Sequence, residues 1–239
     1  MSTETMAPDS LELKPGMDGF FDDWSSDQLA FKEVPWGKAM MWIFLVSDTF
    51  IFGCFLASYM TVRKSTLEPW PSASEVFALS FGGAPIPLIL IAIMTFVLIT
   101  SSGTMALAVN YGYRKNKWVT FWLLVTTAVL GATFVGMQVF EWSKLIFEEG
   151  VRPWGNPMGA AQFGSVFFMI TGFHGFHVSI GVIFLLIFSY KVARGHLDDQ
   201  TQGWFTKRGG NYEEIEILGL YWHFVDLVWV FIFALFYLW

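Results

Sequence analysis

Two strings in the last third of the chain hold residue types that could do chemistry. One reads Thr171-Gly-Phe-His174-Gly-Phe-His177-Val, the other Tyr221-Trp-His223-Phe-Val-Asp226-Leu-Val-Trp229. A spacing of three places His174 and His177 on one face of a helix, and the same spacing recurs in His223 with Asp226 and in Gln138 with Glu141. Imidazoles on facing helices can hold iron or haem. The same residues can instead satisfy one another by hydrogen bonds between helices, His223 with Asp226 for instance. The chain lacks the His-Glu-x-x-His and Glu-x-x-His patterns of helical metal centres. A b-type haem needs two well-separated imidazoles, whereas His174 and His177 lie within one turn. With a single cysteine, Cys54, a cysteine ligand set is excluded. No metal site is therefore expected, and no catalytic triad, phosphate loop or dinucleotide fingerprint is present.

Asp48 poses a different problem, because no histidine or basic residue lies within a turn of it in sequence. At membrane depth it must be protonated, paired across helices, or exposed to a wet crevice or to lipid headgroups. Lys191 closes an apolar segment, where lysines snorkel to the interface and commonly meet a lipid phosphate.

The elements that carry these residues follow from composition. The 239 residues are 54% hydrophobic, 19% aromatic and only 14% charged, too apolar for a soluble domain of this length. Apolar runs at about 40–61, 86–109, 118–141, 162–190 and 217–239 each reach the roughly 20 residues that span a bilayer core. The expected fold is all-α, a polytopic membrane protein of five transmembrane helices over residues 39–239, behind an acidic tail at 1–38. The tail shows no secretory signal. Residues 62–85 are expected as a loop with a turn at Gly82–Pro85, and Thr100-Ser101-Ser102-Gly103 as a softening near the end of span two. Gly164, Gly172, Gly175 and Gly181 would let a neighbour approach span four.

Lysines and arginines fix the expected orientation. Lys14, Lys32, Lys38, Arg114, Lys115, Lys117, Lys191, Arg194, Lys207 and Arg208 fall on one side, and Arg63, Lys64, Lys144 and Arg152 on the other. The N-terminus is thus expected in the cytoplasm and the C-terminus in the periplasm. Trp70, Trp118, Trp142, Trp154 and Trp239 stand near span ends as an aromatic belt. The net charge of −6 argues against nucleic acid as a partner.

At Gly172-Phe-His-Gly-Phe-His-Val178 and Tyr221-Trp-His-Phe-Val-Asp-Leu-Val-Trp229 the chain closely resembles subunit III of the haem-copper terminal oxidases. Gln138-Val-Phe-Glu141-Trp142 and Ser47-Asp48 are weaker matches to the same family, and the resemblance covers about 36–239. The chain is similar to short bacterial members that lack two initial helices of the mitochondrial type. It carries Asp48 where that type has a carbodiimide-reactive glutamate, and Lys191 where a basic lipid-binding residue, commonly arginine, is expected.

The resemblance implies a non-redox structural subunit of a cytochrome c oxidase complex in the bacterial inner (plasma) membrane. Oxygen reduction and proton pumping would belong to the complex, with haem and copper in the partner catalytic subunit I, beside subunit II. This chain would bear no cofactor of its own. It would bind phospholipid in a cleft, stabilise the catalytic subunit and support proton uptake. Asp48 would be the buried cleft carboxylate and Lys191 a lipid contact. His174, His177, His223, Asp226, Gln138 and Glu141 would form structural polar pairs. The equivalent subunit of a quinol oxidase and an accessory subunit of nitric oxide reductase are the close alternatives. A haem b membrane anchor is the rival of another class, and a transporter is disfavoured by the lack of paired broken helices.

Overall fold

The structure, a computed structural model, describes residues 36–72, 76, 78–81, 84–157, 159–195, 197 and 213–238. Two units are distinguished, Met1–Met40 and Met41–Trp239. Most of the acidic tail and of the polar loop before the last span lies outside the described residues. Five helices are long and apolar enough to cross a membrane: α1 (Trp36–Ser65), α2 (Ile89–Tyr113), α3 (Lys117–Phe147), α4 (Gln162–Ala193) and α5 (Glu213–Phe233). The all-α expectation holds for the membrane-spanning part. The loop after α1 additionally forms a short antiparallel hairpin, β1 (Ala78–Phe81) with β2 (Ala84–Pro87), in the register Phe81 opposite Ala84.

Helices α2, α3, α4 and α5 close a ring, each packed on its neighbours, with α5 returning against α2. Buried positions explain how. On α2 they fall at Ile91, Met94, Leu98, Ser101, Met105, Ala108 and Gly112. On α3 they run through Thr120, Leu124, Thr127, Gly131, Phe134, Gln138, Glu141 and Leu145. Both series alternate steps of three and four, the 3.5-residue repeat that keeps one seam facing its partner in near-antiparallel bundles. The turn between α2 and α3 is tight: Lys115 adopts φ 56°, and the N–H groups of Lys115 and Asn116 return to the carbonyls of Gly112 and Tyr111.

Ser101 and Ser102 lie at the midpoint of α2, not near its end as their polarity suggested. Their hydroxyls have partners inside the bundle, so the polar pair does not interrupt the helix.

From Met41 onward, α1 meets this ring through large side chains. Phe52 lies against Phe173, His174, His177 and Phe224, at 5.2–6.5 Å between ring centroids. One end of the helix is pinned. Tyr59 is 1% exposed, lies tilted against Phe236 with 4.1 Å between ring centroids and donates its hydroxyl to the Leu235 carbonyl at 3.1 Å. Arg63 donates to the same hydroxyl at 3.2 Å. Leu235 and Phe236 belong to a widened π turn, Ala234–Leu238, that continues α5. Trp70 closes over Tyr59 and Phe163, while the Ala160 N–H reaches the Pro69 carbonyl. Tyr59→Phe removes both hydroxyl bonds. It should cost about 1 kcal/mol, read as a lower thermal unfolding midpoint in detergent.

Candidate functional site: a polar belt and an apolar groove

The polar side chains singled out in the sequence form three clusters, each joining two or more elements. In the first, Asp48 on α1 meets His177 on α4, with Nε2 3.5 Å from Oδ2. Both residues are buried, at 3% and 8% exposure. Of the situations open to Asp48, the structure provides the pairing across helices, from a residue distant in sequence. The other ring nitrogen, Nδ1, lies 2.8 Å from the Phe173 carbonyl. A carbonyl only accepts, so Nδ1 carries hydrogen and the neutral ring turns its bare Nε2 toward the carboxyl. Attraction there requires one proton held by the pair, on either Asp48 or His177. At 3.5 Å it is an ion-pair distance, not a close hydrogen bond. The Tyr221 hydroxyl donates to the His177 carbonyl at 2.9 Å and fixes α5 beside the pair.

The second cluster lies between α2 and α5. His223 does not bond Asp226 directly; its Nδ1 lies 2.6 Å from the Ser102 hydroxyl on α2. Asp226 is buried, and neither of its carboxyl oxygens completes a hydrogen bond. The intrahelical pair suggested by the spacing is thus replaced, for His223, by a contact across the seam to a hydroxyl of the neighbouring helix. Beside it the Trp222 indole donates to Ser101 Oγ at 3.0 Å, and the Thr104 and Thr127 hydroxyls meet at 2.8 Å between α2 and α3. Ser102→Ala should cost about 1 kcal/mol or more by stranding His223, measured again as the unfolding midpoint.

The third cluster is the Gln138–Glu141 pair on α3. Gln138 Nε2 donates to one Glu141 oxygen at 3.0 Å and the Tyr237 hydroxyl donates to the other at 3.2 Å. Glu141 therefore ties α3 to the turn that ends α5. His174 stands apart from its helical neighbour His177: its Nε2 donates to the Val225 carbonyl at 3.1 Å, and Phe52, Phe134 and Trp229 surround the ring. Among the described residues no group of three or more His, Cys, Asp or Glu gathers in reach of one metal ion.

Next to the first cluster, α1, α4 and α5 enclose a groove of about 540 Å³. That size is typical of small-ligand sites, roughly 300–1,000 Å³. Met41 and Phe44, Phe176 to Phe188, and Ile217 to Tyr221 supply apolar walls, His177 a polar point in the wall, and Glu214 a charge at one end. Lys191, at the rim, is ion-paired with Glu214 at 2.5 Å and stands 4.8 Å from the Phe188 ring.

Sequence reasoning did not find Ser102, Trp222, Tyr237 or Glu214. Ser102 offered a signal, a hydroxyl at mid-depth of a 25-residue helix; Glu214, in an acidic first turn, offered none.

The family described as cytochrome c oxidase subunit III matches residues 31–239. A Staphylococcus aureus protein named "Probable quinol oxidase subunit 3" is 33% identical over 202 residues, which are 84% of this chain and 88% of that protein. Its Staphylococcus epidermidis counterpart of the same name is 32% identical over the same coverage. With five membrane-crossing helices, the chain is an integral protein of a bacterial membrane. It belongs to the cytochrome c oxidase subunit III family, whose members are subunits of haem-copper oxidase complexes.

Proposed function

We propose that this chain is the non-redox third subunit of a proton-pumping haem-copper oxidase that receives electrons from cytochrome c. In this reading it docks on the catalytic subunit I, beside subunit II, and leaves oxygen chemistry to their haem and copper. Its own work is to hold phospholipid in the groove between α1, α4 and α5, to stabilise the catalytic subunit through turnover and to support proton uptake. The N-terminus is cytoplasmic and the C-terminus periplasmic.

The observation that carries the reading is how the histidines are spent. His174 bonds a backbone carbonyl, His177 a carbonyl and Asp48, and His223 a serine. Those bonds organise helices and commit each of these three imidazoles, of the four in the chain, to a partner of its own. An apolar groove with a buried carboxyl at its side fits a lipid-filled support subunit better than a haem anchor.

Mild-detergent purification of the chain from its native membrane tests this. A haem-copper subunit should co-purify, and the separated chain should be colourless. A chain that comes away alone with a Soret band would overturn the proposal. A second reading, a quinol donor, is favoured by the names of the two staphylococcal relatives. Oxygen consumption by the purified complex with reduced cytochrome c, against the same assay with quinol, decides between them.

A further inference from the structure

The hairpin between α1 and α2 has two unequal edges. In an antiparallel ladder, opposed residues alternate between pairs that exchange both main-chain hydrogen bonds and pairs that exchange none. Ala78 stands opposite Pro87, Leu79 opposite Ile86, Ser80 opposite Pro85 and Phe81 opposite Ala84. Proline has no N–H, so the bonding pairs are Leu79–Ile86 and Phe81–Ala84. At the other two pairs the main-chain groups point away from the ladder. The outer edge of β1 therefore presents the N–H and C=O of both Ala78 and Ser80. The outer edge of β2 presents the carbonyls of Pro85 and Pro87 and no donor beside them. Proline is one of the devices that keep an edge strand from pairing with a further strand. It guards β2 and not β1.

Two strands alone are marginal in water, and a third strand or a packed helix is needed for independent stability. β1 adjoins α2, yet among the described residues no backbone hydrogen bond joins the two or reaches Ala78 or Ser80 from outside the hairpin. The α3–α4 connection lies on the same side of the membrane, two spans further on, and its described backbone is committed elsewhere. Arg152 and Gly155 bond each other, the Val151 N–H returns to the Leu145 carbonyl, and the Ala160 N–H takes the Pro69 carbonyl. A strand for β1 must then come from another chain, and members of this family are subunits of oxidase complexes. From the one unguarded edge we propose that β1 receives a third strand, an extended segment of a partner subunit of the oxidase complex exposed on that side of the membrane. Recognition is by main chain, as in β-strand addition. The occupant carries no proline at the residues that face Ala78 and Ser80. This goes beyond the proposed function in naming where a partner is held, and rests on it for the chain's place in the complex.

Amide hydrogen exchange on the intact, purified complex tests it, read residue by residue by mass spectrometry. In a bare hairpin, Leu79 and Phe81 exchange slowly, whereas Ala78 and Ser80, facing outward, exchange fast. With a third strand in place, all four should be slow. Ser80→Pro removes an outward N–H and leaves the ladder to β2 intact, because Pro85 is what faces it. In that variant Leu79 and Phe81 should keep their protection, while exchange at Ala78 should rise about tenfold, the order that two hydrogen bonds of ordinary net strength supply. A peptide of a partner subunit should lose protection with it. Fast exchange at Ala78 and Ser80 in the wild-type complex overturns the inference. So does slow exchange there with no partner peptide changed in Ser80→Pro, or with the changed peptide belonging to a second copy of this chain. If no haem-copper subunit co-purifies at all, the proposed function has failed first; an intact complex with a bare edge sinks only the third strand.

Discussion

Gly131→Ala should leave the subunit unable to hold its bundle together at the temperature the wild type tolerates. A Cβ at position 131 on α3 would lie 2.4 Å from Trp222 Cη2 and 2.8 Å from Val182 Cγ2. The indole cannot retreat. On its other side a Cβ at Gly181 of α4 would stand 2.8 Å from Cζ3, and the indole N–H is held by Ser101 of α2 at 3.0 Å. Trp222 is fully buried, so one ring from α5 fills the space shared by three other helices. Overpacking of this kind costs about 1–3 kcal/mol, occasionally more. The expected readout is a lower unfolding midpoint and loss of the subunit from the detergent-purified complex. Trp222→Phe would open room at the cost of the Ser101 bond. The double variant should therefore be less damaged than the sum of the two, since both changes act on one contact. A Gly131→Ala subunit with wild-type midpoint and retention would mean the helices separate more easily than this packing allows.

Asp48→Ala is expected to leave the complex assembled but to shorten, several-fold, the number of turnovers before it inactivates. Removing the carboxyl strands His177 Nε2 in a buried position, with a local cost of about 1–3 kcal/mol. It also removes the proton that the pair must hold, given that Nδ1 is committed to the Phe173 carbonyl. Asp48→Asn separates the two effects. Its amide N–H can donate to Nε2 and keep the contact, but it cannot release a proton. If exchange of that proton supports turnover, Asn and Ala should shorten the lifetime alike. If the pair is only a brace between α1 and α4, Asn should restore the wild-type lifetime. A wild-type lifetime in both variants, with unchanged lipid content, would remove any functional role for Asp48.

Polar belt residues illustrate how differently local and tertiary information enter. His174 and His177 share a helix face by spacing alone, and the structure keeps that relation. Their partners are another matter: one ring serves the α4–α5 seam and the other the α1–α4 seam. Gln138 and Glu141 do bond each other, as three-residue spacing on one helix permits. His223 and Asp226 have the same spacing but do not, because Ser102 of α2 stands where it can take His223 first. Spacing sets which pairs can meet. The neighbouring helix decides which do.

By itself, the sequence determined five apolar segments long enough to cross a membrane, the strings that mark the subunit III family, and the residues on which any chemistry would rest. Length and composition suffice for the first, since an unbroken apolar run of helical length has few other uses. Only the tertiary structure decided which face of each helix turns inward. In a membrane, lipid-facing and protein-facing surfaces are both apolar, so hydropathy does not distinguish them. Exposed Phe50, Phe96 and Leu107 read in sequence like buried Phe52, Leu98 and Met105. For the same reason the groove, the Asp48–His177 pair and the Lys191–Glu214 rim were not legible. Each joins segments far apart in the chain, at distances set by how the large side chains around Phe52, Tyr59 and Trp222 pack.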